Sequence, residues 1–306
     1  MPIETLENAQ LRLEINPEVG ASPAAFEAKR GGERLPILRP TPRPLPEKSS
    51  PYSSFTLAPY SNRIRGARFV FQGREYRLVA NKPEGNVVAG ITIHGDVRNR
   101  PWEVEKPDET TLVCRFDSAE FPDSNWPWPY TVRKTYRLDG STLETRLELA
   151  NASDEEMPAG FGIHPYFVRR LPGSGDALLQ FRAKGYYIPD ETLIPTEGMQ
   201  PVPPELDFST PRSPGDQHID TVFGGWDGTA GLSWPGSGVR MILEADPIFS
   251  HLVVFTAPDR TLALEPVSNA TDGFNLMARG VRGTGVRILE PGGSLTGTIK
   301  MTIEGL

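Results

Sequence analysis

The chain has 306 residues, enough for two average domains or one large β-sandwich. Its 32 Lys and Arg against 39 Asp and Glu leave a formal net charge of −7, which disfavours a nucleic-acid backbone as partner. The 30 Gly and 31 Pro make up about a fifth of the chain, against a usual share of about an eighth, and argue for many short strands over a bundle of long helices.

Strand signals follow one another along the chain: Gln10 to Ile15, Arg68 to Phe71, Tyr76 to Val79, Thr111 to Phe116 and Tyr130 to Leu138. The last ends in Asp139-Gly140, a hairpin signal, before Leu143 to Leu149, where Leu143, Thr145, Leu147 and Leu149 alternate with Glu144, Arg146 and Glu148. Ala177 to Phe181, Val239 to Leu243, His251 to Phe255 and Leu262 to Leu264 continue the series. Beyond the turn Pro291-Gly292-Gly293, Leu295, Gly297, Ile299, Met301 and Ile303 alternate with polar residues. Strands with little room for crossover helices predict an antiparallel all-β protein of packed sheets. Two proline-rich stretches, Arg39 to Pro51 and Pro189 to Pro214, read as surface excursions.

Cys114 is the single cysteine, which excludes an intramolecular disulfide and a multi-cysteine metal site. No charged-then-apolar leader opens the chain and no run of about 18 apolar residues occurs, so a non-secreted, cytoplasmic protein without a membrane span is expected. Motifs for P-loop NTPases, zincins, dinucleotide enzymes and GxSxG hydrolases are all lacking.

Four histidines narrow the search for chemistry. His94, in GITIHGD, and His164, in GFGIHPYF, each follow an apolar residue and precede Gly or Pro, which places both at strand ends. Asn62 and Arg63, in PYSNRI, offer amide and guanidinium donors suited to hydroxyl recognition, or else an ordinary turn. Glu265 lies between Leu264 and Pro266 at the expected end of a buried strand. Its carboxylate is either desolvated, as a general base requires, or emerging into water. Asp220 opens IDTVFGGWDG, and with Trp226 it either pairs a carboxylate with an aromatic ring, as sugar sites do, or precedes aromatics that pack in the core. The loop DSNWPWPY, with Trp126, Trp128 and Tyr130, is either a rim over a cleft or a satellite of the core. His94, His164 and Glu265 are also a conceivable metal triad, although their spacing does not single one out.

Taken in order, NRI, HG, HPYF, Asp220 before FGGWDG, LEP and DGFN, which ends at Asn275, resemble the aldose 1-epimerase (galactose mutarotase) family. The resemblance implies one domain over residues 1–306, a large antiparallel β-sandwich that interconverts the anomers of a free aldohexose without cofactor or metal. It implies Glu265 as general base, His164 as general acid and His94 as a second group at the ring oxygen. It further implies Arg63 and Asp220 as binders of sugar hydroxyls, oriented by Asn62. HGD in place of HGG, and the aromatic loop, depart from the galactose-specific pattern. The expected partner is a neutral monosaccharide, with a hexose 6-phosphate or a non-catalytic sugar-binding role as alternatives and with the oligomeric state open. Arg98 and Arg100 are the phosphate-binding candidates if they share a strand face, or else an edge decorated with charge.

Overall fold

In the computed structural model of the chain, residues 2–81 and 90–306 are described. Two large antiparallel sheets carry the fold. The first has eight strands, in the order Glu103–Asp108, Thr111–Asp117, Tyr130–Asp139, Thr142–Asn151, Ser294–Glu304, Val239–Ala245, Thr229–Trp234 and Leu178–Phe181. The second runs Gly185–Tyr187, Asp220–Gly224, His251–Thr256, Thr261–Val267, Gly162–Ile163 and Thr56–Leu57, with Tyr166–Val168 also pairing with Thr261–Val267. A four-stranded meander spans Glu4–Glu7 to Glu33–Pro36.

The alternation in the sequence becomes the inward face of the first sheet. Leu143, Thr145, Leu147 and Leu149 are buried and stand opposite Met301, Ile299, Gly297 and Leu295, the residues that alternate near the C-terminus. A one-residue slip would turn both sets to water, so the shared buried face fixes this register. The expected hairpin closes with Asp139 opposite Thr142 and Gly140 at φ 55°.

The second sheet is covered on both sides, and that places the site. Leu252, Val254, Leu262 and Leu264 enter the main core, whereas Val253, Ala263 and Val267 join Phe55, Tyr166, Tyr187 and Val222 in a separate cluster. Glu265 lies two residues from both Ala263 and Val267, which puts its side chain on the second cluster's face. Lys134 links the sheets: only 1% exposed, it reaches from the first sheet to donate to Thr56 Oγ1 at 2.8 Å. Burial lowers its pKa to about 7, and burial raises that of its cross-strand neighbour Cys114 to about 12.

Several expectations are corrected. The strand expected over Tyr76 to Val79 lies at Arg74–Arg77, because Gln72 and Gly73, both at positive φ, form a two-residue turn that pairs Phe71 with Arg74. The strand expected from Gln10 begins at Leu11, since Asn8 Oδ1 accepts from the backbone N–H groups of Gln10 and Leu11 and holds a turn. Trp126, Trp128 and Tyr130 form no rim: all are buried in the main core, where the two tryptophans pack with Phe69, and Trp126 also with Phe274. Arg98 and Arg100 share no strand face, because Val97–Asn99 is a single 3₁₀ turn. Arg98 is buried and Arg100 pairs with Asp96 and Asp123. Among the described residues no helix is long and apolar enough to cross a membrane.

Candidate active site

The strand Thr261–Val267 does not end at Glu265, as the sequence reading expects, but continues for two residues. Its partner is what breaks. Gly162 pairs with Val267 and Tyr166 with Ala263, and between them the His164-Pro165 step interrupts the ladder. Carrying the register across the interruption sets His164 opposite Glu265 on one face. Their side chains meet with Nε2 3.0 Å from Oε1. Gly162 permits this approach, since a Cβ there would lie 2.5 Å from the Pro266 carbonyl oxygen.

Glu265 is 2% exposed and His164 5%. Burial, reinforced by the Asp220 carboxylate and opposed by Arg63, raises the Glu265 carboxyl well above its ordinary range. Burial, with the Arg39 and Arg98 charges, holds the His164 imidazole well below its own, against an opposing backbone hydrogen bond. Both shifts favour an uncharged pair with one proton between Oε1 and Nε2. Glu265 Oε2 and His164 Nδ1 are buried without a hydrogen-bond partner among the described residues. Phe55 and Tyr166 wall the imidazole, with ring centroids at 4.6 and 4.5 Å.

A second group flanks this pair. The short strand Thr92–Ile93 pairs with Arg63–Ile64 and brings His94 to Asn62, as the expected strand-end placement of His94 requires. His94 donates its backbone N–H to the Asn62 carbonyl at 3.0 Å, and Asn62 N–H donates to His94 Nδ1 at 3.2 Å. Because Nδ1 accepts, the proton of the neutral ring sits on Nε2, which makes that nitrogen a donor. Burial first, then His164, Arg98 and Arg63, keep His94 neutral. The two imidazoles meet edge to face at 5.2 Å. Gly95 must follow His94: its φ is +68°, and a Cβ would fall 1.8 Å from the Ala58 carbonyl oxygen. Asp96, the departure from HGG, accepts from Arg100 and from the Asn125 backbone, and so ties the aromatic loop to this turn.

Arg63 is held from two sides. Its Nη2 donates to Asp220 Oδ2 at 3.1 Å and its Nη1 to Asn62 Oδ1 at 3.3 Å. Asp220 starts its strand two residues before Val222, which sits in register with Val253, itself opposite Glu265. The carboxylate therefore lies on the Glu265 face. Asp272 of the DGFN motif donates its backbone N–H to the Arg63 carbonyl and accepts from Arg65 N–H, which fixes the Arg63 segment.

The structure thus gathers Glu265, His164, His94, Asn62, Arg63 and Asp220. Trp226 is not among them: it packs in the main core with Nε1 donating to the Thr229 carbonyl, because Gly224-Gly225 turns the chain away beyond the strand. Phe55 and Tyr166 are missed as site residues by the sequence reading, and Arg98 enters it only as a phosphate-binding candidate. Tyr166 carried a signal, since it stands two residues after His164 and so shares its face. Among the described residues no three or more His, Cys, Asp and Glu side chains are grouped to hold a metal ion.

A sequence model described as aldose 1-epimerase matches residues 3–302. The chain belongs to the aldose 1-epimerase family. YphB, an uncharacterized protein of Escherichia coli K12, is 29% identical over the whole of both chains. Mouse galactose mutarotase is 31% identical over 51% of this chain and 44% of its own length. The crystal structure of a candidate aldose 1-epimerase from Escherichia coli K12 superimposes with a TM-score of 0.83 and 28% identity, covering 100% of this chain and 99% of that one. A galactose mutarotase-like protein from Clostridium acetobutylicum shares the fold at a TM-score of 0.82 and 21% identity, over 99% of this chain and 95% of its own. This family's all-β architecture is the one the strand pattern predicts.

Proposed function

We propose that this family member is a cytoplasmic aldose 1-epimerase that interconverts the α and β anomers of a free aldohexose by general acid–base catalysis, with no cofactor. The observation that carries the reading is the contact between Glu265 and His164, a carboxyl and an imidazole 3.0 Å apart in a buried site. Ring opening requires a proton removed from the anomeric hydroxyl and one delivered to the ring oxygen. With the shared proton moved onto His164 Nε2, Glu265 is the carboxylate that takes the first and His164 the imidazolium that gives the second. The open aldehyde then turns about C1–C2 and recloses with the two roles exchanged.

The magnitudes suit this machinery. A ring opening about once an hour has a barrier of about 22 kcal/mol, and a turnover of about 10³ per second needs roughly 9 kcal/mol less. An acid and a base contributing about 10² to 10⁴ each nearly supply that. His94 Nε2–H donates to the ring-oxygen end, while Arg63 and Asp220 bind hydroxyls in an orientation set by Asn62. The test is polarimetry of freshly dissolved aldoses, with and without exhaustive chelation. Accelerated rotation change that survives chelation supports the reading, and none with any aldose removes it.

A further inference from the structure

One buried charge in this site is unanswered. Arg98 is 6% exposed, and among the described residues its guanidinium has neither an ion-pair nor a hydrogen-bond partner. It lies 5.5 Å from the Phe55 ring centroid, and Phe55 packs on both His164 and His94. The other arginines of the site are paired: Arg63 with Asp220, and Arg39 with Asp259 and the Tyr52 carbonyl. A guanidinium cannot shed its proton to ease burial, and an aromatic face compensates a desolvated charge only in part. An anion from outside the chain would supply the missing partner.

The position of Arg98 indicates where that anion sits on the sugar. Phe55, the ring against which the Arg98 guanidinium lies, packs at 5.8 Å from the His94 ring and 4.6 Å from that of His164. Arg98 therefore lies on the histidine side, by the ring oxygen in the proposed mechanism. The ring oxygen joins C1, the reacting centre, to C5, which bears the exocyclic C6. We infer that Arg98 is a specificity residue that binds a C6 carboxylate, so that the substrate is a hexuronic acid. This rests on the mutarotase reading and replaces the neutral sugar expected from the sequence, in which Arg98 is either a phosphate binder or part of a charged strand edge. A carboxylate is favoured over a phosphate ester on two grounds. One free guanidinium fork matches a planar carboxylate through two parallel N–H···O bonds, whereas a phosphate calls for several converging cations. A carboxylate also replaces the C6 hydroxymethyl group without lengthening the sugar, which suits a buried site.

The test measures anomer exchange by NMR for glucuronate, galacturonate, glucose, galactose and glucose 6-phosphate at pH 7 and low ionic strength. It uses the native protein, Arg98→Met and Arg98→Lys, with binding of each sugar followed by calorimetry. The expected result is a uronate preferred over its parent hexose at least tenfold in kcat/KM by the native protein. Arg98→Met should reduce that ratio to about one, and Arg98→Lys should retain part of it. A neutral hexose or the 6-phosphate preferred, or equal rates for all five, overturns the inference and leaves the mutarotase reading intact. If no sugar is turned over, the mutarotase reading fails and binding decides the inference. Uronate bound at least tenfold more tightly than hexose by the native protein, and more weakly by Arg98→Met, sustains it; no such preference overturns it. The native comparison is decisive even if Arg98→Met does not fold.

Discussion

His164 and Glu265 face each other across a break in a β-ladder, 3.0 Å apart and both almost fully buried. Ladder pairing on either side aligns them, and the interruption lets both side chains point into one space. The sheet is therefore the device that positions the acid and the base.

The pH dependence follows from opposite shifts. With Glu265 raised and His164 lowered, the pair keeps one transferable proton from below the ordinary histidine pKa to above the ordinary carboxylate pKa. The acid limb of kcat/KM is predicted to lie below the ordinary histidine pKa and its alkaline limb above the ordinary carboxylate pKa. By linkage, the raised Glu265 stabilises the fold fully below its unfolded pKa and loses that contribution as pH rises through its folded value. The lowered His164 stabilises the fold above its unfolded pKa and loses that contribution as pH falls through its folded value. A ¹³C titration of the Glu265 carboxyl checks this, and a midpoint at the ordinary carboxylate value would contradict it.

Asp220 helps to raise Glu265 and also holds Arg63. Asp220→Asn is predicted to lower the Glu265 pKa in the same ¹³C titration. It should also raise KM by about tenfold, or about 1.4 kcal/mol, by loosening a hydroxyl-binding guanidinium. An unchanged titration would remove Asp220 from the electrostatics of the pair.

Lys134 makes stability depend on pH in the alkaline range. A lysine lowered from 10.5 to about 7 stabilises the fold above its unfolded pKa, and that contribution is lost as pH falls through its folded value. The loss is of the order of a few kcal/mol between about pH 10 and pH 7. Lys134→Met should flatten this dependence, and urea unfolding at pH 7 and pH 9.5 measures it. The same slope in both proteins would contradict the assignment.

Gly95→Ala should be severely disruptive. The methyl group would fall 1.8 Å from the Ala58 carbonyl oxygen at a φ of +68°. A cost above about 4 kcal/mol is predicted, carried by loss of the His94 turn, against about 1 kcal/mol for an average substitution. Thermal unfolding of the variant settles it.

Much of this was legible in local pattern. The alternations around Leu147 and Ile299 reported inward faces that prove to be neighbours, and short polar motifs located His94, His164 and Glu265 at apolar strands. What failed depended on the third dimension. Trp226 looked like a sugar platform because an aromatic beside a carboxylate reads the same whether the ring faces a cleft or the core. The burial of Arg98 depends on a tight turn that charge spacing does not reveal. The extension of the Glu265 strand through Pro266 follows from pairing with Leu252 on one side, which local sequence cannot show.

The most direct test of the account is the turnover of Glu265→Gln and His164→Asn, each compared with the native protein by polarimetry on an aldose that it epimerises, with folding verified by circular dichroism. Each substitution removes one partner of the shared proton while nearly preserving shape, and each should lower kcat by at least about 10²-fold. A rate near the native value in either folded variant would contradict the assignment of that residue to the proton transfer.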